Sequence, residues 1–165
     1  MKKIFALVAV ILLACFTFAG CAQTNEPPAG TDGNTTTETE TEKEEITKMF
    51  ITIDGNKLEV TLADNAAVKA LAEKLKKSDI TYTANDFGGF EKVGSLGFSL
   101  PSDDTEITTQ SGDVILYSSN QMVLFYGSNT WSYTRLGTID GYTSTELRTL
   151  LGAGKGNVQV VLSLK

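Results

Sequence analysis

Few side chains in this chain are equipped for chemistry, and one type is missing altogether. The 165 residues include no histidine, the side chain that titrates most readily near neutrality and the commonest metal ligand. Histidine-based catalytic triads and histidine-containing zinc sites are therefore excluded. Both cysteines, Cys15 and Cys21, fall within the first 21 residues. The rest of the chain has no disulfide, no thiol nucleophile and no cysteine metal site. Asp103 and Asp104 are adjacent carboxyls, but the Ser, Thr and Pro around them describe a solvated turn. Gly152-Ala153-Gly154-Lys155-Gly156 looks like a phosphate loop in composition only. It lacks the first glycine spacing and the Ser or Thr after lysine, and it reads as a helix stop and loop. No serine occupies a nucleophile elbow. Neither a catalytic residue nor a cofactor or metal site is expected.

The densest stretch is residues 121–137, QMVLFYGSNTWSYTRLG. It holds the single tryptophan, Trp131, together with Phe125, Tyr126, Tyr133 and Arg135, one of two arginines. On strand alternation Trp131, Tyr133 and Arg135 share one face. Such a stripe can grip a peptide or an anionic ligand by stacking and charge-assisted hydrogen bonds. It can equally be the outer face of a sheet, with Arg135 laid on a ring. The residues by themselves leave both readings open.

The elements that must position this stretch begin after a distinct N-terminal third. Lys2 and Lys3 precede the apolar run IFALVAVILLACFTFAG, long enough for a signal h-region and short of the roughly 20 residues of a membrane span. Phe18-Ala19-Gly20-Cys21 resembles the lipobox of bacterial lipoproteins, with Phe18 where leucine is usual. The resemblance implies lipidation of Cys21 and residues 1–21 as a signal peptide; Leu13-Ala14-Cys15 is a second site of the same kind. The expected address is outside the cytoplasm, held on a bacterial cell membrane by lipid. Residues 22–48 carry seven acids and two lysines with almost no large apolar residue. They are expected to be a disordered, self-repelling tether. No later segment is basic, so no nucleic-acid partner is expected.

Residues 49–165 read as one domain. Alternating runs at 49–53 and 57–62 flank Asp54-Gly55-Asn56 and predict a hairpin. Asp64 is placed as N-cap of a helix whose stripe is Val68, Leu71, Ala72 and Leu75. A strand is expected over 78–84, followed by bulged strands or loops over 85–101 and a short strand at 106–108. VILY and MVLFY, separated by a turn, are continuously apolar, as in strands covered on two sides. Thr143 and Glu146 have capping-box spacing ahead of a short helix, and residues 158–164 alternate as a final strand. The sum is a mostly β domain: an antiparallel barrel of about eight strands with two helices.

The order of these elements, with DFGGFEKVGSL, GDVILY, the strand ending FYG and Leu136-Gly137-x-Ile139, resembles the bacterial cyclophilin-like domain. That family shares the cyclophilin barrel and is largely of unknown function. In cyclophilins proper, a groove on the barrel twists X–Pro bonds with an arginine and a histidine. Here the matching segment offers Lys92, which lacks the planar guanidinium fork, and histidine is absent. By the resemblance, Phe125 corresponds to the apolar groove floor and Trp131 to the groove tryptophan. The chain is thus expected to be a non-catalytic peptide- or small-molecule-binding module of the cell envelope, with Phe125, Trp131, Tyr133 and Arg135 as its groove. The alternative is a divergent peptidyl-prolyl isomerase.

Overall fold

The computed structural model describes residues 45–165. Cys15, Cys21, the expected signal and most of the expected tether lie outside the described residues. Strand β1 (Lys48–Ile53) and strand β2 (Asn56–Leu62) form the first hairpin. Its turn is only Asp54 and Gly55, both at positive φ (49° and 80°), because Asn56 already pairs with Ile53. Two left-handed residues match the twist of the flanking strands, which favours this short turn over a three-residue one.

Helix α1 (Ala66–Leu75) buries Ala67, Val68, Leu71, Ala72 and Leu75. Its cap is Asn65 rather than Asp64, for a chemical reason. Asn65 Oδ1 accepts from the Val68 N–H at 3.0 Å while Nδ2 donates to the Arg135 carbonyl at 2.7 Å. A carboxylate could make the first bond but not the second. Asp64 instead pairs with Lys69 at 2.7 Å.

Strand β3 (Ile80–Phe87) turns through Gly88 and Gly89 into β4 (Glu91–Ser95), which settles the glycine-rich region as a hairpin. Next in the chain come β5 (Thr105–Thr108), β6 (Asp113–Tyr117), β7 (Gln121–Phe125) and β8 (Thr130–Thr138). Helix α2 (Ser144–Leu150) has the expected capping box, with Thr143 and Glu146 bonded reciprocally. It ends at Gly152 in a Schellman motif: Ala153 N–H donates to Arg148 O at 2.8 Å and Gly152 N–H to Thr149 O at 3.1 Å. Lys155 of the glycine-rich loop is paired with Asp54. The chain closes with β9 (Val158–Ser163) between β1 and β3.

All pairings are antiparallel, in the order β2-β1-β9-β3-β4-β7-β6-β8, and β2 meets β8 through Thr61↔Thr138 and Leu62↔Gly137. Eight strands therefore close a ring, while β5 is added outside it on β8. Gly137 marks the seam: a Cβ there would sit 2.3 Å from the Thr61 carbonyl oxygen. A bulge interrupts β8 beside this seam. Val114 faces Gly137 but Ile115 faces Arg135, so Leu136 is skipped. The extra residue bends β8, whose first half leaves β6 and pairs with β5.

The continuously apolar strands are explained by two cores. Val114, Leu116, Met122 and Leu124 point into the ring with the main core. Ile115, Val123 and Phe125 point outward and pack with Tyr133, Phe90, Val93 and Ile107 in a second cluster. Alternate side chains of the same strands thus serve opposite faces.

Candidate ligand-binding site

The outer cluster is a floor of rings. Phe125, fully buried, stacks with Phe90 at 6.2 Å between centroids and meets Tyr133 edge-on at 5.8 Å. Tyr133 in turn meets Tyr117 edge-on at 5.9 Å, and its hydroxyl accepts from Asn129 at 3.0 Å. Such offset and edge contacts lock ring orientation. Above them opens a cavity of about 360 Å³, walled by Phe87, Val93, Tyr117, Val123, Trp131 and Tyr133, with Glu91 and Asn129 as its polar members.

Exposure singles this cavity out. Phe87 is 65 % exposed, Trp131 57 % and Tyr117 38 %; Tyr142 is the one other large apolar side chain so exposed among the described residues. Isolated exposed rings are ordinary, whereas three around one cavity make it the candidate site on this surface.

Glu91 is the chemical centre. Pairing across β3 and β7 sets it opposite Phe87 and Phe125, and it is 5 % exposed. Its Oε2 is enclosed and has no hydrogen-bond partner. Burial pushes its carboxyl up to about 7, with no cation opposing the shift. Leaving a buried polar atom unpaired costs about 1–3 kcal/mol, and an ionisable group so perturbed in a cleft is a functional-site candidate.

The neighbouring Lys92 does not help, because alternation turns it to the other face. It is fully buried, 3.1 Å from Asp86 Oδ1, and donates to the Lys155 carbonyl. Asp86 also accepts from the Tyr126 hydroxyl at 2.7 Å. Burial raises the Asp86 carboxyl, but Tyr126 and Lys92 more than offset this and hold it below its ordinary value. Lys92 is therefore committed inside the barrel end.

Of the residues singled out in the sequence, Trp131 and Tyr133 line the cavity and Phe125 lies beneath it. Arg135 does not join them: its Nη1 donates to Asp113 Oδ1, while Asp113 Oδ2 accepts from the Gln110 N–H at 2.8 Å. Phe87, Glu91 and Tyr117 were missed. A signal for Glu91 was present, since alternation in EKVGS places it with Val93 and opposite Lys92. Among the described residues no cluster of three or more acidic, cysteine or histidine side chains could hold a metal. A second hollow of about 310 Å³ lies between α1 and residues 45–46. Its Lys69 and Lys76 are already paired with Asp64 and Glu73.

A family model described as "Cyclophilin-like family" matches residues 51–163. Among solved structures, the solution structure of the hypothetical protein AF2241 from Archaeoglobus fulgidus is similar, with a TM-score of 0.51 and 18 % identity. The match covers 74 % of this chain and 99 % of that one. At that identity the likeness concerns the fold. No curated protein sequence matches the chain.

Proposed function

The chain belongs to the cyclophilin-like family, and from that premise we propose that it is a binding module whose ligand sits on the outer barrel face. The ligand is a small molecule or a short peptide segment with an apolar group of about one ring in size. The observation that carries this reading is the convergence of Phe87, Tyr117 and Trp131 on one cavity whose single buried carboxyl, Glu91, has an unpartnered oxygen. An apolar pocket with a few convergent polar groups and a perturbed ionisable residue is the ordinary form of a ligand site. We further propose that the module works outside the cytoplasm, carried on a lipid anchor at Cys21; the lipobox-like residues 18–21 support this address.

The competing reading is prolyl isomerisation. That chemistry in cyclophilins draws on a guanidinium beside the twisted bond, and here Arg135 is held by Asp113 while Arg148 donates to the Gly89 carbonyl at 3.2 Å. Trp131 is the lone tryptophan, so its emission reports on the cavity directly. Titrating the intact chain with short peptides and small metabolites should shift that emission, and Tyr117→Ser should weaken the response. A prolyl isomerisation rate above background that Glu91→Gln and Tyr117→Ser both abolish would overturn the non-catalytic reading.

A further inference from the structure

The cavity's polarity is one-sided, and that selects a ligand class. Glu91 brings a carboxyl that is 5 % exposed with Oε2 enclosed and unpartnered, and no lysine or arginine lines the cavity. The nearby cations are engaged elsewhere. Arg135 bonds Asp113, Lys92 bonds Asp86 and the Lys155 carbonyl, and Arg148 lies 4.9 Å from the centroid of the Tyr126 ring. The chain's own cation–ring pairs use Phe50, Phe98 and Tyr126, leaving Phe87, Tyr117 and Trp131 without one among the described residues.

We propose that the cavity binds the protonated nitrogen of an alkylamine, its N–H donated to the Glu91 carboxylate and its apolar body held by Phe87, Tyr117 and Trp131. This rests on the reading of the cavity as a binding site and names what the site takes. Aromatic faces attract cations through the ring quadrupole, tryptophan most strongly. A quaternary ammonium would satisfy the rings but offer the Glu91 carboxylate no donor, so the ligand carries at least one N–H. An anion would meet a carboxylate with no cation to offset it.

The groups facing Glu91 leave it as the one that titrates near neutrality. Tyr126, beyond β7, and Tyr133 of β8 are both raised, by burial first, and stay neutral. On β3, Asp86 faces Lys92 on the opposite side. On β6, Asp113 is bound to Arg135; on α2, Arg148 covers Tyr126 and Glu146 is tied to Thr143. A bound cation favours the ionised carboxylate, so affinity should rise as pH climbs through the region near 7.

The test is a calorimetric and Trp131-emission titration of the intact chain with cyclohexylammonium and its neutral isostere cyclohexanol. For a carboxyl titrating near 7, cyclohexylammonium should bind about tenfold more tightly at about pH 8 than at about pH 6. Cyclohexanol should bind weakly and without that dependence. Glu91→Gln should remove the preference for the ammonium, and Tyr117→Leu, at a half-exposed ring, should weaken it about threefold or more. A further arm, Nα-acetyl-lysine methylamide, tells a peptide-borne amine from a free one; either binding with the stated pH dependence supports the class. Equal binding of the ammonium by Glu91→Gln, or a flat pH response, overturns the inference. If only cyclohexanol binds, and Tyr117→Leu weakens it, the inference falls while the binding-site reading stands. If none of the three probes binds, both fall.

Discussion

Glu91 makes the folded protein carry an energetic load that a core built for stability alone would lack. Its carboxyl is moved from 4.5 to about 7 by burial, so the folded state holds the proton more tightly than the unfolded chain does. That contribution is fully favourable below about pH 4.5 and is lost as pH rises through about 7, an order of 3 kcal/mol at about 1.36 kcal/mol per unit. Glutamine cannot ionise. Urea unfolding of Glu91→Gln against the parent should therefore show the difference moving in the variant's favour by up to about 3 kcal/mol between about pH 4.5 and 8. A constant difference across that range would mean that Glu91 is not desolvated as described. Asp86 works in the opposite sense. Its lowered carboxyl contributes stability above its unfolded value that is lost as pH falls through the folded one. Lys92→Met, which strips this part-buried carboxylate of its cationic partner and leaves the Tyr126 hydroxyl, should destabilise the fold by about 3 kcal/mol, measured by the same unfolding.

At the scale of elements, what was legible in the sequence was local. The first hairpin, α1, the capping box at Thr143 and the two apolar strands arise from neighbours a few residues apart. The exceptions are just as physical. Asp64 and Asn65 are equally good caps by type, and only the distant Arg135 carbonyl, which needs a donor, decides between them. The stripe Trp131-Tyr133-Arg135 was legible as a shared face. The bulge at Leu136, the pairing with β5 and the pull of Asp113 on Arg135 depend on contacts far apart in sequence. Phe87 and Glu91 were hidden for the same reason: they join Trp131 only once β4, β7, β6 and β8 lie side by side. Ring closure is testable through Gly137. Alanine there would place Cβ 2.3 Å from the Thr61 oxygen and 2.9 Å from Val60 Cγ1. Gly137→Ala should cost about 3 kcal/mol, with amide exchange quickened first along β2 and β8. Unchanged exchange at Ala63, whose N–H donates to the Leu136 carbonyl across the seam at 2.9 Å, would show that the seam does not hold the barrel shut.

For the molecule as a whole, the barrel interior holds the main core, and the outer β4–β7–β6–β8 face holds the proposed recognition site. The floor of that site is a separate outer core: Phe125 and Val123 are buried beneath it while Trp131 and Phe87 stay exposed. The proposed anchor adds geography. Labelling cells that express the chain with a fatty-acid probe should mark it, and Cys21→Ala should abolish the label; label that persists would shift the anchor to Cys15 or remove it. Recognition at the outer cavity is tested most directly by nitrogen–proton NMR correlation spectra of the intact chain during titration with small aliphatic and aromatic fragments, the Trp131 indole N–H being the lone indole signal. The predicted result is saturable shifts confined to Phe87, Glu91, Tyr117, Asn129, Trp131 and Tyr133. Shifts confined instead to α1, or no saturable shift with any fragment, would contradict it.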